Sequence, residues 1–232
     1  MSRSVLFPYW SFWPGRSLAF AYYITARRQL DSGSGSGGAA GAEEALRRKV
    51  QDAFAAGVDY VQLREKDLPG KRLAGLVEDL QALPERFRAR RPLRLLVNDR
   101  LDIAIACGAD GVHLPSDSLP LAAVKSRAGS DWIVGISCHS DEEVAEAGRN
   151  GASYVLFGPV FETPSKPDGK PLGVPLLRQV CRRSLAPVFA LGGVTRNNAE
   201  SCIRAGAVGV AGIRLFQEAP NLAELSRYLH AL

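Results

Sequence analysis

Gln62, Arg64 and Lys66 stand at alternate positions in Val61-Gln62-Leu63-Arg64-Glu65-Lys66. Side chains alternate faces along a strand, so these three share one face while Val61, Leu63 and Glu65 share the other. Two cations and an amide are costly to bury together unless an anion meets them. The row suits a phosphorylated ligand; a surface strand with a solvated basic face is the other reading of this segment alone. Three more groups could do related chemistry. Asn98-Asp99 places a carboxylate where Mg²⁺ could be held to neutralise diphosphate oxygens, or where it could cap a helix starting at Arg100. Thr163-Pro164-Ser165-Lys166 offers two hydroxyls and an ammonium, good phosphate partners, or simply a solvated loop. Gly192-Gly193 would let backbone N–H groups approach an anion, or form a plain tight turn.

These groups need elements to position them. Short apolar runs at 21–25, 60–64, 95–98, 111–114, 132–136, 154–158, 187–191 and 209–213 read as eight buried parallel strands. Helical patterns separate them. The clearest is Asp141 to Ala147, with acids in its first turn and Gly151 beyond its end. Ala56-Gly57, Cys107-Gly108 and Ala205-Gly206 end three helices alike, which suggests repeated αβ units. The expected fold is α/β, a single parallel eight-stranded (β/α)₈ TIM barrel over residues 21–232. A doubly wound sheet is the alternative, weakened because no Gly-x-Gly-x-x-Gly follows the first strand. In a barrel the chemistry sits where strands run into the following loops. That rule selects Arg64, Lys66, Asn98, Asp99, His113, Ser137, His139, Thr163 to Lys166, Gly192, Gly193 and Arg214.

The 232 residues can bury a large core, and the formal charge is only +5. The densest basic run, Arg86 to Arg91, reads as a solvated helix end, so no nucleic-acid partner is expected. No run is apolar enough to span a membrane. Cys107, Cys138, Cys181 and Cys202 lack Cys-x-x-Cys spacing and fit reduced, mostly buried thiols of a cytoplasmic protein. Cys138 and His139 are adjacent at a strand end, so their side chains diverge and do not form a nucleophile pair. Residues 1–20 read as an N-terminal extension, and the Gly/Ser-rich stretch within 31–41 as a flexible loop without a P-loop ending. The oligomeric state is open, a homo-oligomer included.

Taken together, the segments resemble the thiamine phosphate synthase/TenI family over nearly all of residues 21–217. The matching pieces are Tyr-Tyr-Ile-Thr (22–25), Gln-Leu-Arg-Glu-Lys (62–66), Asn-Asp-Arg (98–100), Gly-Val-His-Leu (111–114) and Gly-Ile-Ser-Cys-His-Ser (135–140). Gly-Pro-Val-Phe-Glu-Thr-Pro-Ser-Lys (158–166), Gly-Gly-Val (192–194) and Gly-Ile-Arg-Leu-Phe (212–216) complete the set. The resemblance implies a barrel that joins hydroxymethylpyrimidine diphosphate to a thiazole phosphate, giving thiamine phosphate and pyrophosphate. It implies that Gln62, Arg64 and Lys66 hold the pyrimidine diphosphate with help from Asn98 and Lys166. The resemblance also implies that Ser137 lies near the reacting diphosphate. By the same resemblance, Thr163, Ser165, Gly193 and the backbone at Ile213 and Arg214 would hold the thiazole phosphate, and Asp99 would bind one Mg²⁺. Lys66, Ser137, His139 and Lys166 are the expected catalytic groups, and His113 lines the substrate site.

One departure stands out. Synthases usually carry Gly-Gln-x-Asp after the fourth strand, and its Asp is a metal ligand. Here the segment is Pro115-Ser116-Asp117-Ser118, so that position falls on Ser118, with Asp117 one residue early. A shifted loop would make Asp117 the second ligand. The departure is of the kind expected in the TenI branch, which isomerises a thiazole phosphate carboxylate without metal, using a histidine where His139 stands. A non-catalytic thiazole or thiamine phosphate-binding barrel is the third reading.

Overall fold

In the computed structural model, residues 19–30, 39–83, 93–129, 132–165 and 169–232 are described. The N-terminal extension, most of the Gly/Ser stretch and the arginine run fall largely outside them. Eight parallel strands close in sequence order, with β8 pairing back to β1. They are β1 (Phe20–Ile24), β2 (Tyr60–Leu63), β3 (Arg94–Asn98), β4 (Gly111–Leu114), β5 (Ile133–Cys138), β6 (Tyr154–Phe157), β7 (Val188–Leu191) and β8 (Gly209–Gly212). The expected (β/α)₈ barrel is therefore the fold.

The helices are α1 (Ala39–Ala55), α2 (Gly70–Gln81), α3 (Leu101–Ala106), α4 (Leu121–Ala128), α5 (Asp141–Arg149), α6 (Gly173–Arg183), α7 (Ala199–Arg204), α8 (Arg214–Gln217) and α9 (Leu222–His230). Residues 39–41, expected to be loop, already belong to α1. Among the described residues no helix is long and apolar enough to cross a membrane. Helix α5 starts as its sequence dictates: the Ser140 hydroxyl accepts from Glu143 N–H, and the Glu143 carboxylate accepts from His139 N–H. Gly57, Gly108, Gly151 and Gly206 follow helix ends with positive φ, which explains the recurring terminal glycine.

Alternation along the strands makes two cores. Outward residues such as Ala21, Tyr23, Val61, Leu63, Val155 and Phe157 pack against the helices. Inward residues Tyr22, Ile24, Leu96, Tyr154, Leu156, Phe189 and Ala211 fill the barrel. Tyr22, Tyr154 and Phe189 meet there with ring centroids 5.4–5.6 Å apart. Tyr154 fits because its neighbour is a glycine: a Cβ on Gly135 would lie 1.9 Å from the Tyr154 ring.

Candidate active site

The mouth at the carboxyl ends of the strands is built from the β2 and β3 ends first. Parity holds as read from the sequence: Val61 and Leu63 join the outer core, and Gln62 turns into the barrel. The polar row is buried only at its first member. Gln62 is 1% exposed, whereas Arg64 is half-buried and Lys66 exposed. The two cations thus keep their hydration where strand β2 has ended, and only the amide needs partners inside. It has them: Gln62 Nε2 donates to Asn98 Oδ1 at 2.8 Å, and Gln62 Oε1 accepts from Tyr22 O–H at 3.0 Å. Gln62 therefore orients Asn98, which is half-buried at the mouth.

Glu65 faces the other way and is buried. It accepts from Thr25 Oγ1 at 2.6 Å and from Arg27 NH1 at 2.9 Å, and Arg27 also grips Asp67 with both terminal nitrogens at 2.7 Å. Thr25 Oγ1 in turn accepts from Arg64 N–H at 3.0 Å. Charges beneath the backbone thus fix the segment that carries Arg64 and Lys66. Arg27, and the role of Thr25 at the end of the first strand, escaped the sequence reading because only the fold brings 25–27 beside 64–67.

Asp99 is exposed and adopts φ +64°, a conformation Asp tolerates better than most residues. It does not cap the following helix: the N-cap of α3 is Arg100, and no side-chain capping bond forms. Its Oδ1 instead accepts a hydrogen bond from Ser118 Oγ. Asp117 is exposed, and it is Ser118, the residue at the departed position, that reaches Asp99. Among the described residues no cluster of three His, Cys, Asp or Glu side chains could hold a metal unaided. One carboxylate is nevertheless a fitting protein contribution for Mg²⁺, which ordinarily takes one or two carboxylates plus substrate phosphates and keeps several waters.

His113 is buried. Its Nδ1 lies 3.0 Å from Tyr154 OH and its Nε2 2.9 Å from Ser137 Oγ. Burial, helped by the Arg64 charge, lowers its pKa to about 3, so the ring is neutral. It reaches the mouth only through half-buried Ser137. Half-buried His139 directs Nδ1 to the Gly158 carbonyl, which can only accept, so that nitrogen carries the proton. Cys138, next to it, points into the outer core, where burial pushes its thiol up to about 12. The two do not form a nucleophile pair.

Opposite lie the loops after β6, β7 and β8. Val160 N–H bonds Leu191 C=O at 2.8 Å, and Phe161 N–H bonds Gly192 C=O at 3.0 Å. Gly193 has φ +64°, and a Cβ there would sit 2.2 Å from the Glu162 carbonyl. The glycine pair is thus required for close loop packing as well as for a positive φ. Thr163 Oγ1 accepts from Ser165 N–H at 3.4 Å. A cleft of about 380 Å³ is lined by Arg28, Gln29, Pro164, Ser165, Arg214 and Glu218. Arg28 and Gln29 were missed in the sequence, since nothing local ties the first loop to Arg214; Ile213 directly precedes α8. Lys166 lies outside the described residues.

A family model described as thiamine monophosphate synthase matches residues 36–216. The chain belongs to that family. A putative thiamine-phosphate synthase of Geobacter sulfurreducens is 45% identical over 184 residues, covering 79% of this chain and 84% of the relative. A thiamine-phosphate synthase of Roseiflexus sp. is 41% identical over 212 residues, covering 91% and 84%. Thiamine phosphate pyrophosphorylase from Pyrococcus furiosus has a similar structure, with a TM-score of 0.75 at 29% identity over 92% of this chain and 94% of that one. Within the thiamine monophosphate synthase family, then, this chain presents cations and a carboxylate at β2–β3 and an arginine-lined cleft near β8.

Proposed function

We propose that this chain is a thiamine-phosphate synthase, a transferase of thiamine biosynthesis. The carrying observation is its 41% identity to a thiamine-phosphate synthase over 91% of the chain. In the reaction the pyrimidine CH₂–O bond breaks, a CH₂–N bond to the thiazole nitrogen forms, and pyrophosphate leaves. Leaving-group charge and the alignment of two substrates dominate such a step.

The residues divide that work between the two sides of the mouth. Arg64 and Lys66 meet the diphosphate, with Lys166 as a further cation. Gln62 acts through Asn98, whose carboxamide it orients. Thr163, Ser165, Gly193, Ile213 and Arg214 receive the thiazole phosphate beside the cleft. Asp99, steadied by Ser118, would hold one Mg²⁺ together with substrate oxygens, with Asp117 as the outer carboxylate of that loop. The ion would supply positive charge to the departing diphosphate. Cytoplasmic residence belongs to this proposal.

The test is thiamine phosphate formation from the two substrates with Mg²⁺ and with EDTA. Mg²⁺-dependent product supports the synthase and the metal assignment together. No product from folded protein that binds thiazole phosphate would move the tautomerase reading, with His139 as proton carrier, to first place. Ligand-dependent thermal stabilisation without turnover in either assay would leave a binding barrel.

A further inference from the structure

Six side chains from six strands form one unbroken polar run through the barrel. Asn98, Gln62, Tyr22, Tyr154, His113 and Ser137 are joined by contacts of 2.8, 3.0, 2.7, 3.0 and 2.9 Å. Both ends, Asn98 and Ser137, are half-buried at the mouth, and the four residues between them are at most 2% exposed. The described chemistry leaves Tyr22 and Tyr154 without a role. Packing alone would be served by phenylalanine, as at Phe189, and buried hydroxyls need partners.

Donor counting fixes the polarity of the run. Gln62 Nε2 donates to Asn98 Oδ1, so Gln62 Oε1 faces Tyr22 and can only accept. The single Tyr22 proton goes there. At the contact between the two hydroxyls Tyr154 must therefore donate. Its proton is then committed, so Tyr154 oxygen accepts from His113 Nδ1–H. Neutral His113 has only a lone pair left on Nε2, which accepts from Ser137 Oγ–H. Burial raises both tyrosines far above their ordinary range, so neither ionises and the proton count stays fixed.

We propose that the Tyr22–Tyr154–His113 run is a positioning device that couples the two ends of the mouth. With Asn98 turned to present its N–H₂ group to an anion, the run forces Ser137 to meet substrate as a hydrogen-bond acceptor. The opposite polarity requires both amides to turn, which would aim the Asn98 carbonyl at an anionic ligand beside Arg64 and Lys66. The anion and the acceptor thus select for one another. The matching ligand carries phosphate at one end and an N–H donor on its ring, as an aminopyrimidine diphosphate does. This deepens the synthase reading and rests on it for the ligand, but not for the proton arrangement.

Three histidines make the arrangement measurable. Long-range ¹H–¹⁵N spectra of full-length, ¹⁵N-histidine-labelled protein distinguish the two neutral tautomers, and His139→Asn and His230→Asn variants assign the remaining resonance to His113. The expected result is the Nδ1–H tautomer, the minority form of imidazole in water. Tyr22→Phe is nearly isosteric and does not touch His113. It releases the Tyr154 proton to His113 Nδ1, and the ring should change to Nε2–H. Tyr154→Phe removes the Nδ1 acceptor and should give the same tautomer, providing a second variant if the first does not fold. In kinetics, Tyr22→Phe should raise KM for the aminopyrimidine diphosphate about tenfold, the scale of one hydrogen bond, and leave KM for the thiazole phosphate unchanged. An Nε2–H ring in the wild-type protein, or a tautomer indifferent to both variants, would overturn the proposal. Absence of synthase turnover would overturn the functional reading instead, since the spectra need no turnover.

Discussion

Arg27 and Glu65 form an ion pair at 2.9 Å, with side chains only 8% and 2% exposed. Glu65 lies between Arg64 and Lys66 in sequence and on the opposite face in space. The pair therefore anchors, from within the protein, the short segment that lifts two cations into the mouth. It also ties the end of β1 to the end of β2, since Thr25 and the Arg27 N–H both reach the same carboxylate.

Removing one partner of a buried pair strands the other charge, so Arg27→Met should destabilise the protein by about 3–5 kcal/mol in urea unfolding. Pairing it with Glu65→Leu should recover part of that loss. The double variant should still bind the diphosphate substrate more weakly, because Arg64 and Lys66 lose their anchor; an unchanged KM would separate the pair from the site.

Acid should loosen the same region. The Arg27 guanidinium holds the Asp67 carboxyl down at about 2 from an ordinary 3.8. A depressed folded-state pKa stabilises above the unfolded value and loses that contribution as pH falls through the folded one. Stability should thus decline between about pH 4 and pH 2. Urea midpoints across that window should show a shallower decline in Asp67→Asn than in the wild type.

Ser118 orients Asp99, and loss of such outer partners ordinarily weakens a metal site about 10–100-fold. Ser118→Ala should raise the Mg²⁺ concentration for half-maximal thiamine phosphate formation on that scale. Ser118→Asp should lower it by adding a second carboxylate, and Asp99→Ala should remove Mg²⁺-dependent activity. Mg²⁺ titrations of initial rate check all three.

Gly193→Ala places a Cβ against the Glu162 carbonyl at a φ of +64°. Alanine at a positive φ costs more than about 1 kcal/mol. The melting temperature should fall and KM for the thiazole phosphate should rise, while KM for the pyrimidine diphosphate, proposed to bind across the mouth, should change little.

His139→Asn separates the family's two chemistries. A proton-transfer residue contributes about 10²–10⁴-fold. The variant should keep most thiamine phosphate formation, since breaking the CH₂–O bond and forming the CH₂–N bond move no proton through His139. A drop of about 100-fold or more in that rate would give His139 a proton-transfer role in the synthase.

The sequence by itself determined the barrel, and it put the candidate site residues at the carboxyl ends of its strands. Strand apolarity, helix-end glycines and the parity of Gln62 against Leu63 are local properties, set by backbone geometry and by the face each side chain must bury. The polar residues at the strand ends were legible for the same reason. Tertiary structure alone decided what those residues do to one another. It buried Gln62 while leaving Arg64 and Lys66 hydrated, because β2 ends between them. It set Ser118, not Asp117, against Asp99, brought Arg27 under Glu65, and joined Tyr22 to Tyr154 across 132 residues of chain. Such pairings depend on how the closed sheet registers distant strands, and no periodicity within one segment records that.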